Sequence, residues 1–196
     1  MENNADRGKE GRVRTLTIGE VALASSIYGD KINYYRVRIN KRSYLPFGLQ
    51  NKRVAMTPNG EIYFRDELYS EDYSLEKGSA QHLLIHEMGH VMQYQQGMYV
   101  KLRGLFSWAV DYQYVLEKGK KLTSYGMEQQ ASIMADYFYI KKYGTHAFSE
   151  FSGRNIFGLI DEDTIYKLKN YSHIQAFNNE KVFYYSFLPD FKRLLG

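Results

Sequence analysis

Residues 86–90 read His86-Glu87-Met88-Gly89-His90, and this H-E-x-x-H pentapeptide constrains the chain more than any other segment. On an α-helix, positions four apart lie one turn above each other, so His86 and His90 can share one metal ion. Glu87 is offset by about 100° around the same helix. That offset lets its carboxylate reach a water on such an ion rather than the ion itself, the position required of a general base in zinc-assisted hydrolysis. The fold must then supply a buried helix with one polar face, a third ligand from elsewhere, and an open fourth position where the pKa of a water falls towards ~7.

The flanking residues predict that helix. Gly78-Ser79 supplies a stop and an N-cap, and Gly97 a C-terminal breaker. Stepping 100° per residue puts His82, Leu83, His86, His90 and Gln93 on one side, and Leu84, Ile85, Met88, Val91 and Met92 on the other. Between Gln81 and Gln96 only Glu87 is charged. The helix therefore reads as buried all round, with an apolar face to the core and an imidazole face to something polar. Either histidine alone would read as a core residue with satisfied hydrogen bonds. The pair with Glu87 between them points to a zinc site instead.

The best third ligand is Glu128. Met127, Ala131, Met134, Ala135 and Phe138 repeat at helical spacing and give a second helix a buried stripe. Glu128 lies at the edge of that stripe, where small neighbours would let two helices approach. A carboxylate on a mostly buried flank is costly unless it is paired or coordinates a metal. Its plainer role is an exposed N-terminal Glu that favours the helix dipole. Asp136, two turns on and rotated about 80° from Glu128, is expected behind a ligand rather than on the metal. His82, one turn before His86, is expected to line the site. His146, His173, Tyr137 and Tyr139 are weaker candidates for a proton donor or oxyanion partner.

With His86, Glu87, His90 and Glu128 in place, the sequence resembles the zincin metallopeptidases whose third ligand is a glutamate on a downstream helix. Ser132 stands where the E-x-x-x-D version has its aspartate, so the bond supporting a ligand histidine must come from another residue. Gln96 stands where the longer H-E-x-x-H-x-x-G-x-x-H motif has its third histidine, and a metzincin is excluded. The segments Thr17–Ala24, Tyr35–Ile39, Tyr44–Phe47, Met56–Phe64 and Ile85–Gln95 narrow the likeness. Together they resemble a group of zinc peptidases of Gram-negative bacteria labelled VgrG-related or Rhs-related. That resemblance implies association with type VI secretion and a role as an exported effector or toxin. The partners it implies are secretion-apparatus components or an immunity protein, with protein or peptidoglycan stem peptides as substrate.

The expected fold class is α+β: one zincin-like domain over residues 16–196, with a small antiparallel sheet beside the active-site helix, preceded by a flexible arm over residues 1–15. Ile18 to Tyr28 reads as a helix ended by Gly29-Asp30, and Tyr34 to Ile39 as a strand. Val54–Thr57 and Glu61–Arg65 flank Pro58-Asn59-Gly60, a hairpin signal. By the resemblance, Glu61–Arg65 would be the upper edge of the substrate cleft, docking an extended peptide by strand addition. Tyr99 to Tyr125 reads as a partly helical insertion, and Asp161–Asn170 and Val182–Leu195 as further helices.

A chain of 196 residues can bury a full core without disulfides, and the lack of cysteine excludes thiolate ligands and a nucleophilic Cys. No apolar run reaches the ~20 residues that span a bilayer. The polar, mixed-charge N-terminus is not a secretory signal. The expectation is synthesis in the cytoplasm and export, if any, by a route that reads no such signal. Between Lys31 and Gly60 there are seven basic residues and no acidic one: Lys31, Arg36, Arg38, Lys41, Arg42, Lys52 and Arg53. They form either the solvent face of a strand, the preferred reading, or a patch for a polyanion such as anionic lipid headgroups or cell-wall polymer. Nucleic acid is not the expected partner. The two other function classes are a polyanion-binding module using Lys31–Arg53 and a non-catalytic zincin-fold adaptor of the secretion apparatus.

Overall fold

The computed structural model of the chain describes residues 11–98, 114 and 121–152. Two compact units divide the chain, Met1–Trp108 and Ala109–Gly196. The first is α+β. Its strands β1 (Arg12–Arg14), β2 (Ile39–Lys41) and β3 (Ile62–Phe64) form one sheet in the order β1-β2-β3. Helices α1 (Ile18–Tyr28) and α2 (Gly78–Gln95) cover its core. β1 and β2 are antiparallel, with Val13 opposite Asn40, whereas β2 and β3 are parallel, with Asn40 opposite Tyr63. The sheet is thus mixed rather than antiparallel as expected. β1 takes up Arg12–Arg14, within the stretch read as an arm.

α1 begins where a capping box closes it. The Thr17 hydroxyl accepts from the Glu20 backbone N–H at 3.1 Å, and the Glu20 carboxylate accepts from the Thr17 N–H at 2.8 Å. It ends at Gly29, as predicted. Tyr34–Arg36 is a single 3₁₀ turn, not the start of a strand. Val37 and Ile39 are fully buried while Arg36 stays exposed, so the alternation that suggested a strand reports burial only. The Pro58–Gly60 turn does reverse the chain, and Met56 and Tyr63 form an antiparallel bridge across it. Gly60 (φ 77°) lies on α2, where a Cβ would come within 2.4 Å of the Tyr94 ring; no other residue fits this turn without moving it.

The core of this unit is made by Ala24, Ile27 and Tyr28 of α1, Ile39, Ile62 and Phe64 of the sheet, and Leu84, Ile85, Met88 and Val91 of α2, each at most 3% exposed. In the second unit, Leu122–Ser124 is a 3₁₀ turn and α3 runs over Met127–Ser152. Gly144 (φ 87°, ψ 167°) breaks α3 into two helical stretches. Ala131, Met134, Ala135 and Phe138 are buried along it as expected from the sequence, while Met127 at its start is only half-buried. Beyond the break Phe151 stacks on Tyr139 at 4.3 Å. The helices read at Asp161–Asn170 and Val182–Leu195 lie outside the described residues, as does most of the insertion. Among the described residues no helix is long and apolar enough to cross a membrane.

Phenols raised by burial, the fully buried Tyr28 among them, make the first unit sensitive to alkali. Burial, with Asp30 adding to it, pushes the Tyr34 hydroxyl up to about 12, and burial raises Tyr73 well above the ordinary tyrosine range. Both donate as neutral groups, Tyr34 to Gly29 O at 2.8 Å and Tyr73 to Leu68 O at 2.7 Å. An unfolded tyrosine ionises near ~10. The stabilisation these groups give is therefore complete below that pH and is lost as pH rises through the folded values. Urea midpoints should hold steady to about pH 9.5 and fall steeply above about pH 10. A flat profile to about pH 11.5 would remove these phenols from the account.

Candidate functional site

α2 carries His86, Glu87 and His90 on consecutive turns, and its apolar side fixes their aim. Leu84, Ile85, Met88 and Val91 are fully buried. The Tyr28 hydroxyl donates to Ile85 O at 2.7 Å and so pins the backbone one residue before His86. Glu87 and His90 are each 5% exposed and His86 is half-buried.

The Nε2 atoms of His86 and His90 lie 3.2 Å apart, with the rings inclined at 79°. Two nitrogen ligands of a tetrahedral zinc ion, each about 2.05 Å from it, are separated by about 3.3 Å, so this pair fits a shared ion. His90 Nδ1 lies 2.9 Å from Oε1 of Gln93, which is completely buried. An amide oxygen only accepts, so the proton sits on Nδ1 and the Nε2 lone pair is turned towards His86. Gln93 is thus the support that Ser132 could not supply. Its signal was in the sequence, as a polar residue three positions after His90 on the imidazole face.

Thr57 is the second residue that sequence reasoning missed. It belongs to the chain entering the Pro58–Gly60 turn, is 5% exposed, and its hydroxyl donates to Glu87 Oε2 at 2.5 Å. Among the described residues Glu87 Oε1 has no such partner. The carboxylate is held by one oxygen and presents the other. Nothing in the local pattern marks Thr57, because the pairing spans 30 residues.

The edge expected to receive substrate needs correction. β3 cannot accept a further strand along Glu61–Arg65, because it pairs with β2 on one side. On the other side, Tyr63 exchanges both backbone hydrogen bonds with Met56, at 3.1 and 2.8 Å. Met56 faces inward, so its neighbours face out. The N–H and C=O of Ala55 and the N–H of Thr57 make no hydrogen bond among the described residues. Both residues are nevertheless no more than 9% exposed. Buried backbone groups of this kind are normally paired. The hairpin arm beside Glu87 is thus Ala55–Thr57, which carries the Thr57 bond to that carboxylate.

The remaining candidates lie on other turns and elements. Glu128 lies half-buried in the first turn of α3, in the second unit, with Ala131 and Ala135 buried along the same helix. Asp136, 8% exposed, accepts from the Tyr114 hydroxyl at 2.5 Å. His82 is half-buried one turn before His86, Tyr137 and Tyr139 are half-buried on α3, and His146 is exposed. His173 lies outside the described residues. The basic segment is partly neutralised: Lys52 pairs with Glu67 at 2.9 Å and Lys41 lies 3.9 Å from Asp66.

No family model matches the chain. It is 45% identical over 132 residues to the type VI secretion system spike protein VgrG2b of Pseudomonas aeruginosa, a match covering 64% of this chain. The chain spans 13% of that protein's length. Among solved structures, the effector domain of Pseudomonas aeruginosa VgrG2b superposes with a TM-score of 0.61 at 40% identity. That match covers 71% of this chain and 82% of the domain.

Proposed function

Because the chain belongs to the family of the effector domain of Pseudomonas aeruginosa VgrG2b, we propose that it is an effector of a type VI secretion system and a zinc-dependent amide hydrolase with a zincin-like core. The observation that carries the hydrolase reading is the convergence of His86 and His90 Nε2 at 3.2 Å beside the buried, Thr57-held carboxylate of Glu87. His86 and His90 would hold the ion, and Glu128 is the proposed third ligand. When bound, zinc acidifies water and polarises a carbonyl oxygen.

The chain's own residues do the rest. Gln93 keeps the His90 ring in one tautomer and orientation, which in such sites governs ligand basicity. Glu87, through its open oxygen, takes the proton of the attacking water and returns it to the leaving amine. Thr57 holds the other oxygen so that the carboxylate does not turn away. An extended chain running past the Ala55–Thr57 arm, whose outward backbone groups are unpaired among the described residues, would bring one of its amides beside Glu87. The substrate class is accordingly a peptide amide, in a protein or in a peptidoglycan stem peptide.

Metal content tests the ligand set. Purified protein reconstituted with zinc should hold about one ion, and His86→Ala none. Glu128→Gln should bind markedly more weakly. Gln93→Met, which keeps the buried volume but cannot accept the Nδ1 proton, should lose about 10- to 100-fold in affinity. Wild-type protein without zinc after reconstitution would end the hydrolase reading. Wild-type stoichiometry and affinity in Glu128→Gln would retain the site but assign its third ligand elsewhere.

A further inference from the structure

The segment between β2 and the Met56 bridge forms a closed loop that exposes what folded chains usually hide. Gln50, 2% exposed, closes it: its Oε1 accepts from Tyr44 N–H at 2.8 Å, and its Nε2 donates to Val54 O and Tyr63 O at 2.8 and 3.0 Å. Ser43 Oγ donates to Leu45 O, and Arg65 donates to Gly48 O and Gln50 O. A loop tied at so many points is a preformed protrusion.

At its tip Pro46, Phe47, Gly48 and Leu49 are all exposed, Phe47 by 98% and Leu49 by 69%. Phe47 is the sole non-glycine residue with positive φ among those described (φ 55°, ψ 21°). In that region the Cβ crowds the carbonyl oxygen, and glycine or asparagine is the residue that suits it. The fold therefore gains nothing from Phe47: its backbone is strained and its ring touches solvent. The loop's own charges are of one sign, although Lys52 is matched by Glu67 at 2.9 Å. Arg42 enters the loop and Lys52 and Arg53 leave it, and no acidic residue occurs from Lys31 to Gly60. Arg42 and Arg53 are exposed and form no ion pair among the described residues; Arg42 is steadied over the Tyr63 ring, 5.7 Å from its centre.

We propose that the loop spanning residues 44–54 docks the protein on an anionic lipid bilayer, with Phe47 and Leu49 entering the headgroup boundary and Arg42 and Arg53 facing lipid phosphates. Two apolar side chains with cations beside them match the layered chemistry of a bilayer surface, apolar below and anionic above. This docking needs no metal at His86 and His90, so the metal-free His86→Ala protein binds as well as wild type.

The test is co-sedimentation of the full chain with phosphatidylcholine vesicles, alone or mixed with phosphatidylglycerol. Wild type should pellet with the anionic vesicles, less so as salt rises, and remain soluble with the neutral ones. Phe47→Gly should weaken binding about tenfold with a thermal midpoint no lower than wild type, since glycine relieves the left-handed backbone. Arg53→Glu should weaken it about fivefold or more. Equal binding to both vesicle types, undiminished binding by Phe47→Gly, or no binding at all would overturn the proposal. The last result would make a groove on a protein partner the occupant of the tip.

Discussion

On the proposed mechanism, Glu87→Gln should bind zinc as wild type does and lose turnover by about 10²- to 10⁴-fold, the range general-base catalysis contributes. The expectation rests on the division of labour between the two carboxylate oxygens. Oε2 accepts the Thr57 hydroxyl, and the glutamine amide oxygen can take over that bond, so the side chain stays in place. At the other position a glutamine presents an NH₂ group, which cannot accept a proton from water. The imidazole pair and the Gln93 support are untouched, so metal affinity should not move. The measurement pairs elemental analysis with mass spectrometry of digests of unfolded protein and of peptidoglycan fragments, wild type beside variant. Zinc retained with turnover at the wild-type rate would exclude Glu87 as the base. Zinc lost along with turnover would mean that Glu87 shapes the ligand set, and the two roles would have to be reassigned.

The structure also explains which parts of the chain could be read in advance. α1 was legible to the residue, because Thr17 and Glu20 close its start and Gly29 its end within one short stretch. α2 was legible, except that it starts at Gly78 behind Lys77 with no side-chain cap rather than at a Ser79 cap, because a run with one charge in sixteen residues has only a buried helix to form. The pairing of β2 with β3 was not legible. Ile39 and Ile62 meet as parallel partners across 23 positions, and alternation along either strand is the same for parallel and antiparallel neighbours. The hairpin arm beside Glu87 was misplaced for a related reason. The hairpin signal located both of its arms, but which arm lies outside depends on where β2 sits. Thr57 and Gln93 were missed differently. Thr57 reaches Glu87 through tertiary structure alone, whereas Gln93 sat on the predicted face and needed only its distance from His90 to be weighed.

Glu20→Ala should cost about 3–5 kcal/mol of stability, the range for breaking a buried ion pair from one side. Glu20 is completely buried and Arg14 nearly so, with 11% of its side chain exposed. The carboxylate accepts four hydrogen bonds: two from the Arg14 guanidinium at 2.7 and 2.8 Å, one from Thr17 N–H at 2.8 Å and one from Tyr73 N–H at 2.9 Å. It thereby joins the end of β1, the start of α1 and the turn that leads into α2. The pair itself is not the reason for so large a loss, since the desolvation of two charges offsets most of their attraction. The loss arises because alanine leaves Arg14 charged, buried and facing two backbone donors that have also lost their acceptor. Arg14→Met with Glu20→Leu should therefore be far less damaging than Glu20→Ala alone, although it removes more hydrogen bonds. Urea unfolding of wild type, the single variant and the double variant decides the matter. If the double variant were as unstable as Glu20→Ala, the cost would lie in the lost cap and turn bonds, and the unpaired charge would not be the cause.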